Sequence, residues 1–267
     1  MKSRMKILER YIADQVGAAS ANITDQYRLT NGAIQENWAI TVRISDGHLE
    51  GERKFCLRMD APSKIGNSRN RVEEFAFLNL AHNGGVRVPE PLICCDDENL
   101  IGRQFFVMQW IDGVADARKI TQNKFCSSSR KRLLTDIGAE LALIHNLNPK
   151  KSDFPFLKTP RIAPAQHIIH HCRQALDALP QASPILEWGL RWAELNLPKT
   201  QPKVLCHRDY RIGNLMIDRD SLVGVLDWEF SDWSDPMEDI AWFCAKCWRF
   251  GFNEREAGGI GPRATFY

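Results

Sequence analysis

Alternating apolar and polar positions mark most of the first 110 residues, a pattern typical of half-buried β-strands. In one segment the apolar residues instead recur at helical spacing. We expect a helix there that begins near Asn67 or Ser68, either of which can cap it, and that ends at Asn83-Gly84-Gly85. The strands are predicted over residues 25–30, 38–45, 53–59, 90–95 and 104–110.

After Gly113 the apolar spacing changes to that of helices. One apolar stripe with steps of three or four positions is formed by Leu134, Ile137, Leu141 and Ile144. Further helices are predicted over 165–179, 184–196 and 239–250, and short strands over 203–206, 215–218 and 222–226. The sequence therefore predicts an α+β protein with two lobes, residues 1–110 and 111–267, around a cleft.

Composition excludes several classes of protein. The 267 residues carry 35 Lys and Arg against 33 Asp and Glu, a net charge of +2, whereas a nucleic-acid-binding protein needs a concentrated basic face. No apolar run reaches the ~18–20 residues that a membrane span requires, and the charged start lacks the apolar core of a signal peptide. We expect a cytoplasmic protein that binds neither nucleic acid nor membrane.

The eight cysteines agree with a cytosolic protein, because they are scattered among mostly apolar neighbours and predict reduced, buried thiols. Cys244 and Cys247 have the spacing of half a zinc or redox motif. Their neighbours predict a buried helix, and no second pair with this spacing exists. We interpret both as core residues.

The strongest signal of chemistry is the polar segment from His207 to Asn214, with Asp227 thirteen positions further on. Phosphoryl transfer from ATP requires groups of this kind, because the protein must mainly position the reactants and hold a divalent metal. In this interpretation Asp209 accepts or orients the proton of the attacking hydroxyl, and Asn214 and Asp227 supply oxygen ligands to Mg²⁺. The spacing matches the protein-kinase catalytic loop H-R-D-x-x-x-x-N and the metal-binding Asp that follows it.

The surrounding residues resemble a known family. The segments Leu205–Asp218, Gly224–Glu229 and Asp235–Asp239 are similar to those of the aminoglycoside phosphotransferase and choline-kinase-like superfamily. The branch they resemble most is the one of kinase-like domains found alongside acyl-CoA dehydrogenases. The resemblance implies a protein-kinase-like fold, with a β-rich N-terminal lobe and an α-rich C-terminal lobe, and it implies ATP and Mg²⁺.

The resemblance also assigns positions for binding the phosphates. Gly32 lies between the first two predicted strands, where a phosphate-covering loop belongs. Arg58 occupies the place at which kinases put a phosphate-pairing Lys; its guanidinium can bind phosphate in a bidentate manner but is no simple replacement for a point charge. Its expected partner is a glutamate on the first helix, and we prefer Glu74 over Glu73.

The resemblance places the adenine-binding connector at the end of the last strand of the front half. Its positions are Met108, Gln109 and Ile111, just before Gly113. The side chains there carry little information, because the backbone of Gln109 and Ile111 is expected to hydrogen-bond adenine.

Several polar residues near the motif are interpreted as supporting groups. His145 and His207 are expected to be buried and to brace the catalytic loop, and Arg208 is expected to be structural. Asp235 and Asp239 stand at a predicted helix start, where carboxylates favour the helix dipole, and we expect both to cap it.

The acceptor is predicted to be a small molecule, because Pro236 follows Asp227 by only nine positions, too few for the loop on which regulated kinases dock a polypeptide. Six acids and no base lie from Asp227 to Asp239, which suits a cationic acceptor such as an aminoglycoside or choline. An acyl-chain or CoA-linked hydroxyl, which the most similar branch implies, fits equally well. The tryptophans in and after this segment are interpreted as core residues rather than as a ligand wall.

We therefore predict an ATP-dependent phosphotransferase, a small-molecule kinase that moves the γ-phosphoryl group to a hydroxyl. The alternative is a nucleotide-binding protein that is catalytically impaired or truncated. This alternative is motivated by Arg58 in place of Lys and by a phosphate loop with the single Gly32. The chain also ends soon after Gly258–Gly261, where family members commonly continue with helices that help to wall the acceptor site.

Overall fold

The computed structural model describes the chain over residues 2–29, 35–61, 68–198 and 202–266. Two residues named above, Gly32 and Asn67, lie outside these ranges. Helices and strands share the described part of the chain, so the predicted α+β class is confirmed.

The chain begins with a helix that the hydrophobic pattern did not predict, α1 (Lys2–Val16). Leu8, Ile12 and Val16 recur every four positions along it and are buried in a cluster with residues of the sheet described next. Polar and charged residues fill most positions between them, so the apolar stripe is narrow. The sequence of this helix therefore resembles a charged terminal segment.

An antiparallel five-stranded sheet forms the front half of the molecule, in the order β1-β2-β3-β5-β4. Its strands are β1 (Ser20–Arg28), β2 (Glu36–Ser45), β3 (Gly51–Met59), β4 (Pro91–Cys95) and β5 (Phe105–Gln109). All five predicted strands are confirmed, although β1 starts earlier than predicted. Because β3 is the central strand, residues near its end have a neighbouring strand on each side.

The predicted helix of the front half is present as α2 (Arg71–Asn83) but starts later than predicted. Asn70 caps it by accepting a hydrogen bond from the helix backbone at 2.9 Å. Ser68 cannot serve as the cap, because its hydroxyl is bonded to Glu229. The predicted end of the helix is confirmed, with Gly84 as the residue that follows it.

The later elements are mostly helical. The helices after α2 are α3 (Glu98–Ile101), α4 (Ala117–Gln122), α5 (Ser127–His145), α6 (Pro164–Asp177), α7 (Pro184–Leu195), α8 (Pro236–Phe243) and α9 (Arg263–Phe266). The short strands form two antiparallel pairs, β6 (Val204–Cys206) with β9 (Asp232–Ser234), and β7 (Leu215–Asp218) with β8 (Ser221–Val225). Across the described residues, no helix is both long enough and apolar enough to cross a membrane.

Helix α5 confirms the predicted apolar stripe, since all four of its residues are buried. Helices α6 and α7 lie within two residues of their predicted ranges. They are also poorly buried: Pro164 is the buried residue of α6, and α7 has none. Trp188 on α7 is 72% exposed.

The helix predicted over residues 239–250 is wrong in extent. Asp235 caps α8 by accepting a hydrogen bond from the N–H of Met237 at 2.9 Å, so the helix begins at Pro236. It ends at Phe243, and a separate 3-10 turn (Lys246–Arg249) follows.

All eight cysteines are free, as predicted, but not all are buried. Cys244 is buried at the end of α8, whereas Cys247 is exposed on the turn that follows it. Cys126 and Cys172 are exposed as well. The interpretation of the cysteines as core residues is therefore wrong for these three.

The described residues pack into a smaller and a larger apolar core. The smaller core lies between α1 and the sheet. The larger one joins α5, α8 and the strands β6 to β8. Phe77 and Leu78 of α2 belong to the larger core, so this helix connects the sheet with the helical half of the molecule.

Candidate active site

The loop after β6 brings Asp209 and Asn214 together. The Nδ2 of Asn214 donates to the carboxylate Oδ2 of Asp209 at 2.7 Å and to its backbone oxygen at 2.9 Å. Asn214 closes a 3-10 turn (Ile212–Asn214) and is buried. Because both amide hydrogens are used, the Oδ1 oxygen remains as the atom that can bind a ligand.

Two residues that the sequence reasoning did not select also hold Asp209. The Nε of Arg211 lies 3.1 Å from each carboxylate oxygen, and the indole N–H of Trp242 donates to Oδ1 at 2.8 Å. The guanidinium of Arg211 lies over the ring of Trp248, 4.9 Å from its centre. Arg211 lies within the segment from His207 to Asn214, so its positive charge two positions after Asp209 could have identified it as a partner of that carboxylate. Nothing in the sequence connects Trp242 with Asp209, 33 positions away.

Asp227 follows β8 with a left-handed backbone, φ 72°, and its carboxylate accepts a hydrogen bond from Arg58. Leu226, the residue before Asp227, donates its N–H to the backbone oxygen of Asn214 at 2.8 Å. This bond holds the segments that carry the two predicted metal ligands, Asn214 and Asp227, next to each other. Burial alone would raise the pKa of Asp227, but the charge and hydrogen bond of Arg58 outweigh it and hold the pKa below its ordinary value. The carboxylate is therefore ionised at neutral pH.

Arg58, near the end of β3, is the centre of a buried charge cluster. Its Nε donates to Glu74 at 3.0 Å, so Glu74 and not Glu73 is its partner on α2. Its Nη2 contacts Asp227 and lies 3.5 Å from Glu229. Burial lowers the pKa of Arg58, but the charges of the acids more than compensate and raise it above its ordinary value. The guanidinium therefore stays charged.

Glu229 is a further buried residue of this region that the sequence reasoning did not select. It accepts hydrogen bonds from Nε2 of Gln35 at 2.9 Å and from the hydroxyl of Ser68. Gln35 in turn accepts the N–H of Ala61 at 3.0 Å through its Oε1. Burial and the charge of Asp227 raise the pKa of Glu229 above its ordinary value. Glu229 thus connects segments of the sheet half with the chain just after Asp227.

These groups surround one cleft of about 780 Å³. The predicted site residues on its wall are Arg58, Glu74, Met108, Gln109, Ile111, Asp209, Asn214 and Asp227. The backbone N–H of Gln109 donates to the backbone oxygen of Glu90 at 2.9 Å. Of the two backbone groups of Gln109, the carbonyl is therefore the one that can contact a ligand. The structure therefore brings all the described site residues of the prediction to one place.

Asp239 anchors the loop that contains Asp209. It lies in the first turn of α8 but does not cap the helix, so that prediction is wrong. Its buried carboxylate accepts the N–H groups of His207 at 2.9 Å and Arg208 at 2.7 Å, and it lies 3.0 Å from Nε2 of His145. The Nε2 of His207 lies 3.0 Å from the backbone oxygen of Leu226. These contacts agree with the bracing roles expected for the two histidines.

Each of the six acids from Asp227 to Asp239 has a partner within the protein. Asp232 pairs with Arg69 at 2.9 Å, and Glu238 pairs with Arg208 at 3.1 Å. The other four are bound as described above. The segment therefore offers no unpaired carboxylate to a cationic acceptor, although its composition suggested one.

The tryptophans of this segment do not behave as a group. Trp228 is buried, as expected of a core residue. Trp242 is 38% exposed, and its ring contacts that of Trp248 with the centres 5.3 Å apart. The core interpretation is therefore wrong for Trp242, whose indole N–H bonds to Asp209.

Solved structures share this architecture. A candidate aminoglycoside phosphotransferase from Ralstonia eutropha JMP134 matches 98% of this chain and 77% of its own, with a TM-score of 0.74 and 19% identity. The streptomycin–ATP ternary complex of APH(2'')-IIa matches 98% of this chain and 81% of its own, with a TM-score of 0.64 and 14% identity. The fold is therefore kinase-like, as predicted.

The sequence assigns the chain to one family among the proteins with a kinase-like fold. A family model described as the phosphotransferase enzyme family, APH, matches residues 28–264, and the chain belongs to that family.

Curated relatives include mouse acyl-CoA dehydrogenase family member 10, which is 27% identical over 241 residues, 89% of this chain and 22% of the mouse protein. Human acyl-CoA dehydrogenase family member 11 is 25% identical over 198 residues, 73% of this chain and 25% of the human protein. The chain thus spans about a quarter of the length of these two relatives.

Proposed function

We propose that the protein transfers the γ-phosphoryl group of ATP to a hydroxyl of a small molecule. The observation that carries the proposal is the meeting of Asp209, Asn214 and Asp227 in one cleft whose wall also holds Arg58. Membership of a phosphotransferase family supports it. The ternary complex of APH(2'')-IIa with streptomycin and ATP supports the pair of substrates, a nucleotide and a small molecule.

The nucleotide is proposed to lie along the cleft between the lobes 1–110 and 111–267. Its adenine would contact the carbonyl of Gln109 and the backbone of Ile111, beside Met108. Its phosphates would meet the guanidinium of Arg58, which Glu74 holds in place from α2. Because acids take up Nε and Nη2, the phosphate would meet Nη1, which donates to Oδ1 of Asn37 at 3.3 Å and pairs with no acid in the described part of the chain.

The donor set fits Mg²⁺. The Asp227 carboxylate is ionised and Asn214 keeps Oδ1 free, and hard divalent cations prefer such oxygen ligands. Mg²⁺ held there would neutralise charge on the phosphate oxygens.

Asp209 is proposed to orient the acceptor hydroxyl and to accept its proton. Its carboxylate is held at both oxygens by Asn214, Arg211 and Trp242, so its orientation is fixed before the acceptor binds. Fixed orientation of the reacting groups is a large part of the catalysis of phosphoryl transfer.

The test is the Asp209→Ala variant with ATP, Mg²⁺ and a panel of hydroxylated metabolites and aminoglycosides, read by ADP release. We expect unchanged ATP binding by calorimetry and a loss of turnover of about a hundredfold or more. Asp153→Ala, at an exposed position bonded to Ser152, is the matched control and should keep full turnover. Equal turnover in Asp209→Ala and wild type would contradict the proposal.

A second candidate, a nucleotide-binding protein without transferase activity, is favoured by one contact. Arg58 is bonded to Asp227, the carboxylate that would hold the metal, and this ion pair competes with metal binding. The two candidates differ in a thermal-shift titration with ATP and Mg²⁺ followed by an ATPase assay. Nucleotide binding without hydrolysis or transfer would support the second candidate.

A further inference from the structure

A second cavity, of about 360 Å³, is lined in part by Arg208, the residue before Asp209. It shares no lining residue with the larger cleft. Five segments of the chain line it: Arg69 before α2, the connector before α6, the first turns of α6, Arg208 in the loop after β6, and strand β9. No step of the proposed transfer reaction uses it.

Most of its wall is apolar. The apolar and aromatic lining residues are Phe156, Pro160, Pro164, Ile168 and Trp233. Such a wall accommodates a flat or aliphatic body, because contact with it removes apolar surface from water.

The polar part of the lining is basic. Arg208 donates through Nε to Glu238, and no described residue accepts a hydrogen bond from its two terminal amino groups. Lys158 is exposed at the rim and has no hydrogen-bond or ion-pair partner in the described part of the chain. Both residues therefore offer N–H donors to a ligand in the cavity.

The acid in the lining does not neutralise them. Asp232 is bound to Arg69 at 2.9 Å, and Arg69 also donates to the backbone oxygen of Ser231 at 3.2 Å. Arg69 is further engaged by the ring of Phe156, 5.3 Å away. Asp232 is therefore taken up by Arg69. Arg208 shares its charge with Glu238, which does not line the cavity, and contributes its two terminal amino groups, whereas Lys158 is a cation without a partner among the described residues.

We infer that this cavity is a binding site for a small organic anion, with a phosphate or carboxylate head and an apolar body. The head contacts the terminal amino groups of Arg208 and the ammonium of Lys158, and the body lies against Phe156 and Trp233. Helix α6 begins at this cavity without a side-chain cap, and its dipole adds to the attraction for the anion. The inference does not depend on the proposed transfer reaction.

The experiment is calorimetric titration of the full chain with phenyl phosphate, which combines an anionic head with an aromatic body. Inorganic phosphate and phenol, its two parts, are the comparison probes. We expect phenyl phosphate to bind in a saturable manner and at least about tenfold more tightly than either part. Failure to saturate, or equal affinity for inorganic phosphate, would overturn the inference.

Variants locate the site. Lys158→Gln should weaken phenyl phosphate binding about tenfold, since it removes one charged donor. Thr159→Glu places a carboxylate among the lining residues and should weaken binding further. Lys151→Gln, an exposed position on the same connector that does not line the cavity, is the control and should change affinity less than twofold.

The larger cleft is the proposed site of the nucleotide phosphates, so each titration is repeated in the presence of saturating ADP. Unchanged affinity for phenyl phosphate supports the second cavity. Loss of binding in ADP, or the same affinity in Lys158→Gln as in Lys151→Gln, would place the anion elsewhere and overturn the assignment.

Discussion

Arg58 and Asp227 are 169 positions apart in the chain, and a direct ion pair joins them inside the cleft. The same guanidinium holds Glu74 on α2. One side chain from the central strand therefore fixes both the helix beside the sheet and the carboxylate after β8. This makes Arg58 a structural residue as well as a candidate for phosphate binding.

Removal of this guanidinium should destabilise the protein. In Arg58→Met the buried acids Glu74 and Glu229 lose a cationic partner, and we expect the free energy of unfolding to fall by about 3–5 kcal/mol. Arg58→Lys should cost less, because the charge remains while the planar fork is lost. Urea denaturation followed by circular dichroism measures both. Arg53→Met, exposed on the same strand and bonded only to backbone oxygens, should stay within about 0.5 kcal/mol of wild type.

Asp239 should matter for both stability and turnover. Its replacement by Ala leaves the N–H groups of His207 and Arg208 without their buried acceptor, and each such group costs about 1–3 kcal/mol. We expect a total loss of about 2–6 kcal/mol in unfolding experiments. Where the variant folds, we expect a fall in kcat with little change in affinity for ATP. Asp177→Ala, at the exposed end of α6, is the control. A stable and fully active Asp239→Ala variant would show that the loop from His207 to Asn214 keeps its conformation without this carboxylate.

Trp242 should act through a single hydrogen bond to Asp209. Trp242→Phe keeps an aromatic ring but removes the indole N–H, and we expect kcat to fall about tenfold with KM for ATP unchanged. Arg211→Gln, which removes the charge beside the carboxylate, should lower kcat further. Trp188→Phe, on the exposed surface of α7, makes the same chemical change away from the site. If both Trp→Phe variants retain full turnover, the bond to Asp209 has no part in catalysis.

Cys126 should be reactive near neutral pH. Hydrogen bonds from Ser128, and then from Ser129, lower its pKa from the ordinary 9.0 to about 7, so about half of this thiol is thiolate at pH 7. The rate of its alkylation by iodoacetamide, followed by mass spectrometry, should therefore rise with a midpoint near pH 7. In Ser128→Ala that midpoint should move to higher pH, because a stabilising bond to the thiolate is lost. Cys172→Ser, which removes another exposed thiol, should leave it unchanged.

The parts of the site that could be predicted are local in sequence. Asp209 and Asn214 meet because five positions span one turn, and Asp227 follows a hairpin that returns the chain to the same place. These spacings are visible in one segment of sequence. Arg58 and Glu74 could be matched only through the family resemblance, because the pair lies on different elements.

The remaining contacts leave no periodic signal. Gln35 and Glu229 are 194 positions apart, and only the folded chain shows that they are bonded. The acids from Asp227 to Asp239 suit a cationic acceptor by composition alone, but composition does not show which basic residues pair with them. Arg69 and Arg208, which pair with two of them, lie in other segments. Helix α1 was missed for a different reason, since its apolar stripe is too narrow to distinguish it from a solvated segment.

The shallow packing of α6 and α7 has a consequence for the energy landscape of the protein. These two helices contact each other and contribute the single buried side chain of Pro164, so little apolar surface returns to water when they detach. They should open as a cooperative unit of their own, with amide hydrogens that exchange far faster than those of α5. The free energy of the global unfolding transition therefore reflects the stability of the sheet and the larger core, and depends very little on these two helices.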